Sequence, residues 1–75
     1  MRRFGEKLRR LRAQHHMTLK DLAAALGLSA HGYISEIESG KKRPTVDLVL
    51  NAARLFDVTT DVLLKDELDL RESSI

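Results

Sequence analysis

The chain has seventy-five residues, thirteen basic and eleven acidic, with a net charge of +2 and no cysteine, so it forms one thin-cored domain without disulfides or thiolate metal sites. Its longest apolar run, Leu22 to Leu26, is far short of the roughly 20 residues that cross a bilayer, and no apolar stretch follows Arg2 and Arg3 as in a signal peptide. The total charge excludes a uniformly basic, histone-like chain, and the lack of thiols fits a reducing, cytoplasmic setting.

Phe4, Leu8, Leu11 and His15 recur at helical spacing, with Arg3, Glu6, Lys7, Arg9 and Arg10 between them. They predict an amphipathic helix over about 4–15. Thr18 caps a second helix, with Asp21 as the distal half of a capping box and Leu22, Ala23 and Leu26 facing inward. Gly27 ends it in the left-handed region. Ser29 is placed to cap a third helix with Tyr33, Ile34 and Ile37 inward, closed by Gly40. Lys41-Lys42-Arg43-Pro44 forms a loop, because Pro44 pushes Arg43 to extended backbone. Thr45 caps a fourth helix bearing Val46, Val49, Ala52, Ala53 and Phe56. Thr59 or Thr60 caps a fifth with Val62, Leu63 and Leu64. β-branched residues nowhere alternate for a strand's length. The fold class is therefore all-α, a bundle of five short helices that depend on tertiary packing. Residues 1–65 form the domain, and residues 66–75 an acidic tail that is either flexible or part of a dimer interface.

Charge is unevenly spread. Residues 1–20 carry +6, 21–40 carry −3, 41–56 carry +3 and 57–75 carry −4. Two basic stretches flank a nearly uncharged middle. Either they solvate helix faces or they meet phosphates on both sides of an inserted element.

Two short helices joined through Gly27 suggest a helix-turn-helix, with 18–26 first, 27–29 the turn and about 30–38 the second, recognition helix. The ordered string strengthens this. It runs Leu8-Arg9-Arg10-Leu11-Arg12, Met17-Thr18-Leu19-Lys20-Asp21-Leu22-Ala23, Leu26-Gly27-Leu28-Ser29, and Tyr33 to Thr45. It closes with Ala52-Ala53-Arg54-Leu55-Phe56-Asp57-Val58 and Leu63-Leu64. It resembles the Cro/cI-type, XRE-like helix-turn-helix regulators over about residues 4–64. The resemblance implies a lambda-repressor-like DNA-binding domain and a non-enzymatic regulator of transcription, either a homodimeric repressor or an autoregulator.

On that reading, His31, Gly32, Ser35 and Glu36 face base edges in the major groove. A carboxylate accepts hydrogen bonds, so Glu36 would favour cytosine N4 or adenine N6. Thr18, Lys20, Ser29, Lys41, Lys42, Arg43 and Thr45 face the sugar-phosphate backbone, which sets affinity more than sequence choice. The family's Arg–Glu pair maps to Arg12 and Glu38, as an ion pair fixing the helix-turn-helix on the first helix. Two departures stand out. Gly27 to Gly40 spans one residue more than the family's usual spacing, which places an extra residue in Ala30-His31-Gly32, where it should lengthen the turn. Leu19 replaces a phosphate-touching Gln, so Lys20 or the amides of the second helix must serve. The dimer surface is expected at the fifth helix and tail, on Val62, Leu64, Leu68 and Leu70, with double-stranded DNA and a second copy as partners. No cofactor, metal, membrane or small-molecule effector is implied. The competing reading is a protein-interaction module, such as a toxin-neutralising antitoxin or a coactivator.

Overall fold

Phe4, Leu8 and Leu11 lie on one stripe of α1 (Phe4–Gln14), and all three are buried. The structure, a computed structural model, describes residues 3–68 and 70. It continues with α2 (Leu19–Ala25), α3 (His31–Glu38), α4 (Val46–Phe56) and α5 (Thr60–Leu64), with no strand among the described residues. The expected five-helix, all-α architecture is present, with boundaries within a residue or two of those read from the sequence. Asp69 and Arg71–Ile75, much of the acidic tail, lie outside the described residues.

Local chemistry sets the helix ends. The Thr18 hydroxyl accepts from the Asp21 amide at 3.0 Å, and the Asp21 carboxylate accepts from the Thr18 amide at 3.0 Å. This completes the reciprocal box. Thr45 and Thr59 cap α4 and α5 in the same one-sided way, accepting from Leu48 and Val62 at 3.1 Å. Ser29 does not cap α3. The cap position falls on Ala30, which has no side-chain cap bond, because the additional residue leaves the Ser29 hydroxyl one place too early. The helix consequently begins at His31, one residue later than read, so the extra residue lengthens the turn, as expected.

α1 to α4 stop the same way. A residue with positive φ lets the following amide reach back to a carbonyl in the last turn. Gly27 and Gly40 take this place after α2 and α3, with φ +73 and +83. Leu28 N donates to Ala23 O at 2.8 Å, and Lys41 N to Glu36 O at 2.9 Å. After α1 and α4 the place is held by His16 and Asp57, at φ 55 and 54, again followed by 3.0 Å bonds from Met17 N to Arg12 O and from Val58 N to Ala53 O.

The core gathers Leu8, Leu22, Ile34, Ala52 and Leu63, all with no solvent exposure, at the meeting of the five helices. Two contacts escape a periodicity reading. A Cβ on Gly5 would collide with the Ile37 carbonyl oxygen and lie 2.7 Å from that of Glu38, so α1 and α3 touch backbone to backbone there. Lys7, an outward residue by pattern, is fully buried. Its ammonium donates to the carbonyl of Val62 and, at 2.7 Å, to that of Lys65, closing the C-terminal end of α5. Beside it the Arg3 amide donates to Asp66 Oδ1 at 2.9 Å, and Arg3 Nη1 to the Asp66 carbonyl at 2.7 Å. The start of the tail is therefore fastened to the start of α1.

Gly5→Ala should destabilise the fold by about 2 kcal/mol, because backbone rather than a flexible side chain must give way. Gly32→Ala, which meets open space in a helix, should stabilise it by roughly 0.5–1 kcal/mol. Urea denaturation of both variants checks the contrast, which reverses if the α1–α3 contact is not this close. The Thr18 amide first, and its side chain second, hold the Asp21 carboxyl below its ordinary pKa. The stability this carries is present above the unfolded value of about 4 and lost as pH falls through the folded one. An acid titration of Asp21→Ala should therefore show a shallower decline than the parent chain.

Candidate nucleic-acid interface

The outward side of α3 is assembled from its first two turns. His31 and Ser35 are one helical step apart, as are Gly32 and Glu36. His31, Gly32 and Ser35 are exposed and Glu36 is partly so. Ile34 and Ile37 point the other way and are buried to 0% and 2% exposure. The core anchors of α3 are thus fully used, leaving this polar row outside.

α2 and α1 hold α3 in place. Arg12 Nε donates to Glu38 Oε2 at 2.8 Å, and Arg12 Nη2 donates to Glu38 Oε1 at 3.1 Å. The third donor, Nη1, reaches the Met17 carbonyl at 3.0 Å. The side chains keep 19% and 7% of their exposure, so this forked pair is largely withdrawn from solvent. The hydrogen bond to Glu38 raises the Arg12 pKa further, with burial opposing and the Glu38 charge adding.

The basic loop turns back over the same helix. Lys42 Nζ is 3.4 Å from Glu36 Oε1 and 5.8 Å from the centre of the Tyr33 ring. Tyr33 is half-buried at the margin of the core, more outward than its inward assignment suggested. A residue read as a phosphate contact and a residue read as a base contact therefore already neighbour each other. Such a pair is exposed and weak, so it can exchange for contacts to a ligand. Lys41 and Arg43 are exposed beside it. Thr18, Lys20, Ser29 and Thr45 are exposed as well, with the Thr18 and Thr45 oxygens also engaged in capping. Among the described residues no three His, Asp or Glu side chains gather to hold a metal ion, and no helix is long and apolar enough to cross a membrane.

The residues assigned to a dimer surface separate. Val62 is 5% exposed and serves the chain's own core, because it lies on the inner side of α5. Leu64, Leu68 and Leu70 are half-buried, and Leu64 and Leu70 pack partly against the core. Val46, Leu50 and Leu55 on α4, at 75%, 40% and 39% exposure, are the larger outward apolar groups, and the periodicity reading did not place them at an interface.

Residues 8–63 match the sequence model of the helix-turn-helix family. YobD of Bacillus subtilis, described as an HTH-type transcriptional regulator, is 36% identical over 61 residues, covering 81% of this chain and 54% of that protein. The HTH-type transcriptional activator BcrR of Enterococcus faecalis is 39% identical over 64 residues, covering 85% of this chain and 31% of BcrR. The chain thus spans about half or less of the length of these curated relatives. Its fold matches the N-terminal DNA binding domain of SinR from Bacillus subtilis with a TM-score of 0.80 and 23% identity, covering 92% of this chain and all of that one.

Replacing either Arg12 or Glu38 by Ala should cost about 3 kcal/mol, since a charged group is left in a largely dry site. The double replacement should cost clearly less than the two single losses together. Arg12→Lys should recover only part of the loss, because an ammonium cannot fork onto both carboxylate oxygens. A double-mutant cycle in urea measures all of this, and strict additivity would contradict the pair.

Proposed function

The chain belongs to the helix-turn-helix family, and on that premise we propose that it binds double-stranded DNA as a sequence-specific transcriptional regulator. It inserts α3 into the major groove of a palindromic operator as a homodimer, in the cytoplasm at the nucleoid, and acts as a repressor or autoregulator. The supporting observation is the outward row of His31, Gly32, Ser35 and Glu36 on a helix clamped by Arg12 and followed at once by Lys41, Lys42 and Arg43. A helix of this width fits the major groove, while cations beside it neutralise phosphates without reading sequence.

On DNA, the Lys42 ammonium has a choice between the Glu36 carboxylate and a phosphate. Moving to the phosphate releases the carboxylate to accept from cytosine N4 or adenine N6. The exposure of both side chains keeps the cost of that exchange small. Lys41 and Arg43 contribute charge, and Thr18 and Thr45 keep hydroxyl protons that can point at phosphate oxygens while their oxygens cap helices.

Selection from random duplexes should return a palindrome whose half-sites lie about one helical turn apart. Lys41→Ala should weaken binding to all duplexes similarly and lower the salt slope by about one. Glu36→Ala should alter preference at one base pair per half-site by roughly tenfold. No enriched duplex, or binding indifferent to salt, would reject DNA binding in favour of a protein-interaction module.

A further inference from the structure

Three of the four glycines answer to the fold. Gly5 gives α1 room against the backbone of α3, and Gly27 and Gly40 hold positive φ at helix ends. Gly32 answers to nothing inside the chain. It lies in the first turn of α3 without a positive φ. Apart from its chain neighbours and its own helix backbone, no atom comes within 4 Å of where a Cβ would stand. Glycine in a helix is less stable than alanine, and no packing in the fold offsets that. The bare position stands instead in the outward row, beside exposed His31 and one helical step before Glu36.

We infer that Gly32 is a specificity-determining residue, whose missing side chain leaves a gap that receives the C5-methyl group of a pyrimidine in the major groove. The inference rests on the reading of α3 as the DNA-facing helix, and it assigns a second base feature to that helix. The C5-methyl is the apolar group that base pairs raise into the major groove, so a bare Cα matches it and a hydrogen-bonding side chain does not. His31, Ser35 and Glu36 all carry polar ends, and Gly32 is the one residue of the row without one. Spacing agrees. Helical side chains lean toward the N-terminal end, so Glu36 projects over the turn that holds Gly32. Its carboxylate suits cytosine N4 or adenine N6. A methyl can adjoin either amine. C5 of cytosine neighbours the carbon that bears the amine, and the thymine paired with adenine carries its methyl on the same edge of the base pair. Both sources, thymine and C5-methylated cytosine, present one chemistry: a methyl beside an amine donor.

A duplex carrying one selected half-site separates them when altered one base at a time, with uracil for thymine or 5-methylcytosine for cytosine. Fluorescence anisotropy reads the binding. For the parent chain, one such change should shift affinity by about fourfold, the effect of a single methyl entering or leaving an apolar contact. A loss with uracil identifies thymine as the source, and a gain with 5-methylcytosine identifies the methylated base. Gly32→Ala fills the gap from the protein side. It should weaken binding to the methyl-bearing duplex by about tenfold, through overpacking, and leave the methyl-free duplex near the parent's affinity. Its thermal melt should lie at or above the parent's, so the lost affinity is not lost fold. The base changes leave the protein unaltered, so their outcome does not depend on how Gly32→Ala folds. A parent chain indifferent to every single methyl overturns the inference, as does a Gly32→Ala chain that weakens both duplexes alike or neither. Both results leave DNA binding standing, whereas failure of the parent chain to bind any duplex would remove the DNA reading and this inference with it.

Discussion

The Arg12 guanidinium turns its three nitrogens to three targets, the two oxygens of Glu38 and the carbonyl of Met17. It thereby joins α1, the segment entering α2 and the end of α3 through one planar group. A domain this small has little core with which to fix helix angles, and the bare Gly5 contact only sets how near α1 and α3 come. The fork adds direction. A largely desolvated ion pair contributes little net stability compared with apolar packing, but it penalises every arrangement in which its partners part. That penalty suits a helix whose outward row must keep one orientation toward a rigid ligand.

The opposite end of α1 is held by different means. The Lys7 ammonium and Arg3 close the carbonyl end of α5 and the residues after it, where a five-residue helix would otherwise leave unsatisfied acceptors. α5 is too short to persist alone, so its position is a consequence of this clasp together with Leu63 and Val62 in the core. The exposed side of α4 and α5 inherits that fixed position. The recognition helix and α5 are thus tied to the same first helix, one at each end.

The helices and most of their ends were legible in the sequence because they are decided locally. Thr18 with Asp21, Thr45, Gly27 and Gly40 act within three or four residues of themselves. The Arg12–Glu38 pair came through family resemblance, since no spacing rule links residues so far apart. The clasp and the close contact were not legible. Lys7 looks like any solvent-side lysine between Phe4 and Leu8, and only the carbonyls of Val62 and Lys65 bring it inside. Gly5 looks like a weak spot in a helix until the backbone of α3 is laid against it. Ser29 failed as a cap because one added residue shifted the register, and Val62 turned inward where three apolar residues in a row offered no face to choose. Lys42 and Glu36 were read as separate contacts because pairing across a turn depends on how the loop folds back.

The central claim is that α3 and the basic loop after it form the surface that meets DNA. An amide NMR titration with a selected operator duplex tests it directly. The account predicts that the largest shifts and slowed exchange fall on residues 31–36 and 41–45, with a smaller set at 18–20 and little change across 60–66. Shifts concentrated on α4 and α5 instead, with α3 unmoved at saturating duplex, would contradict it.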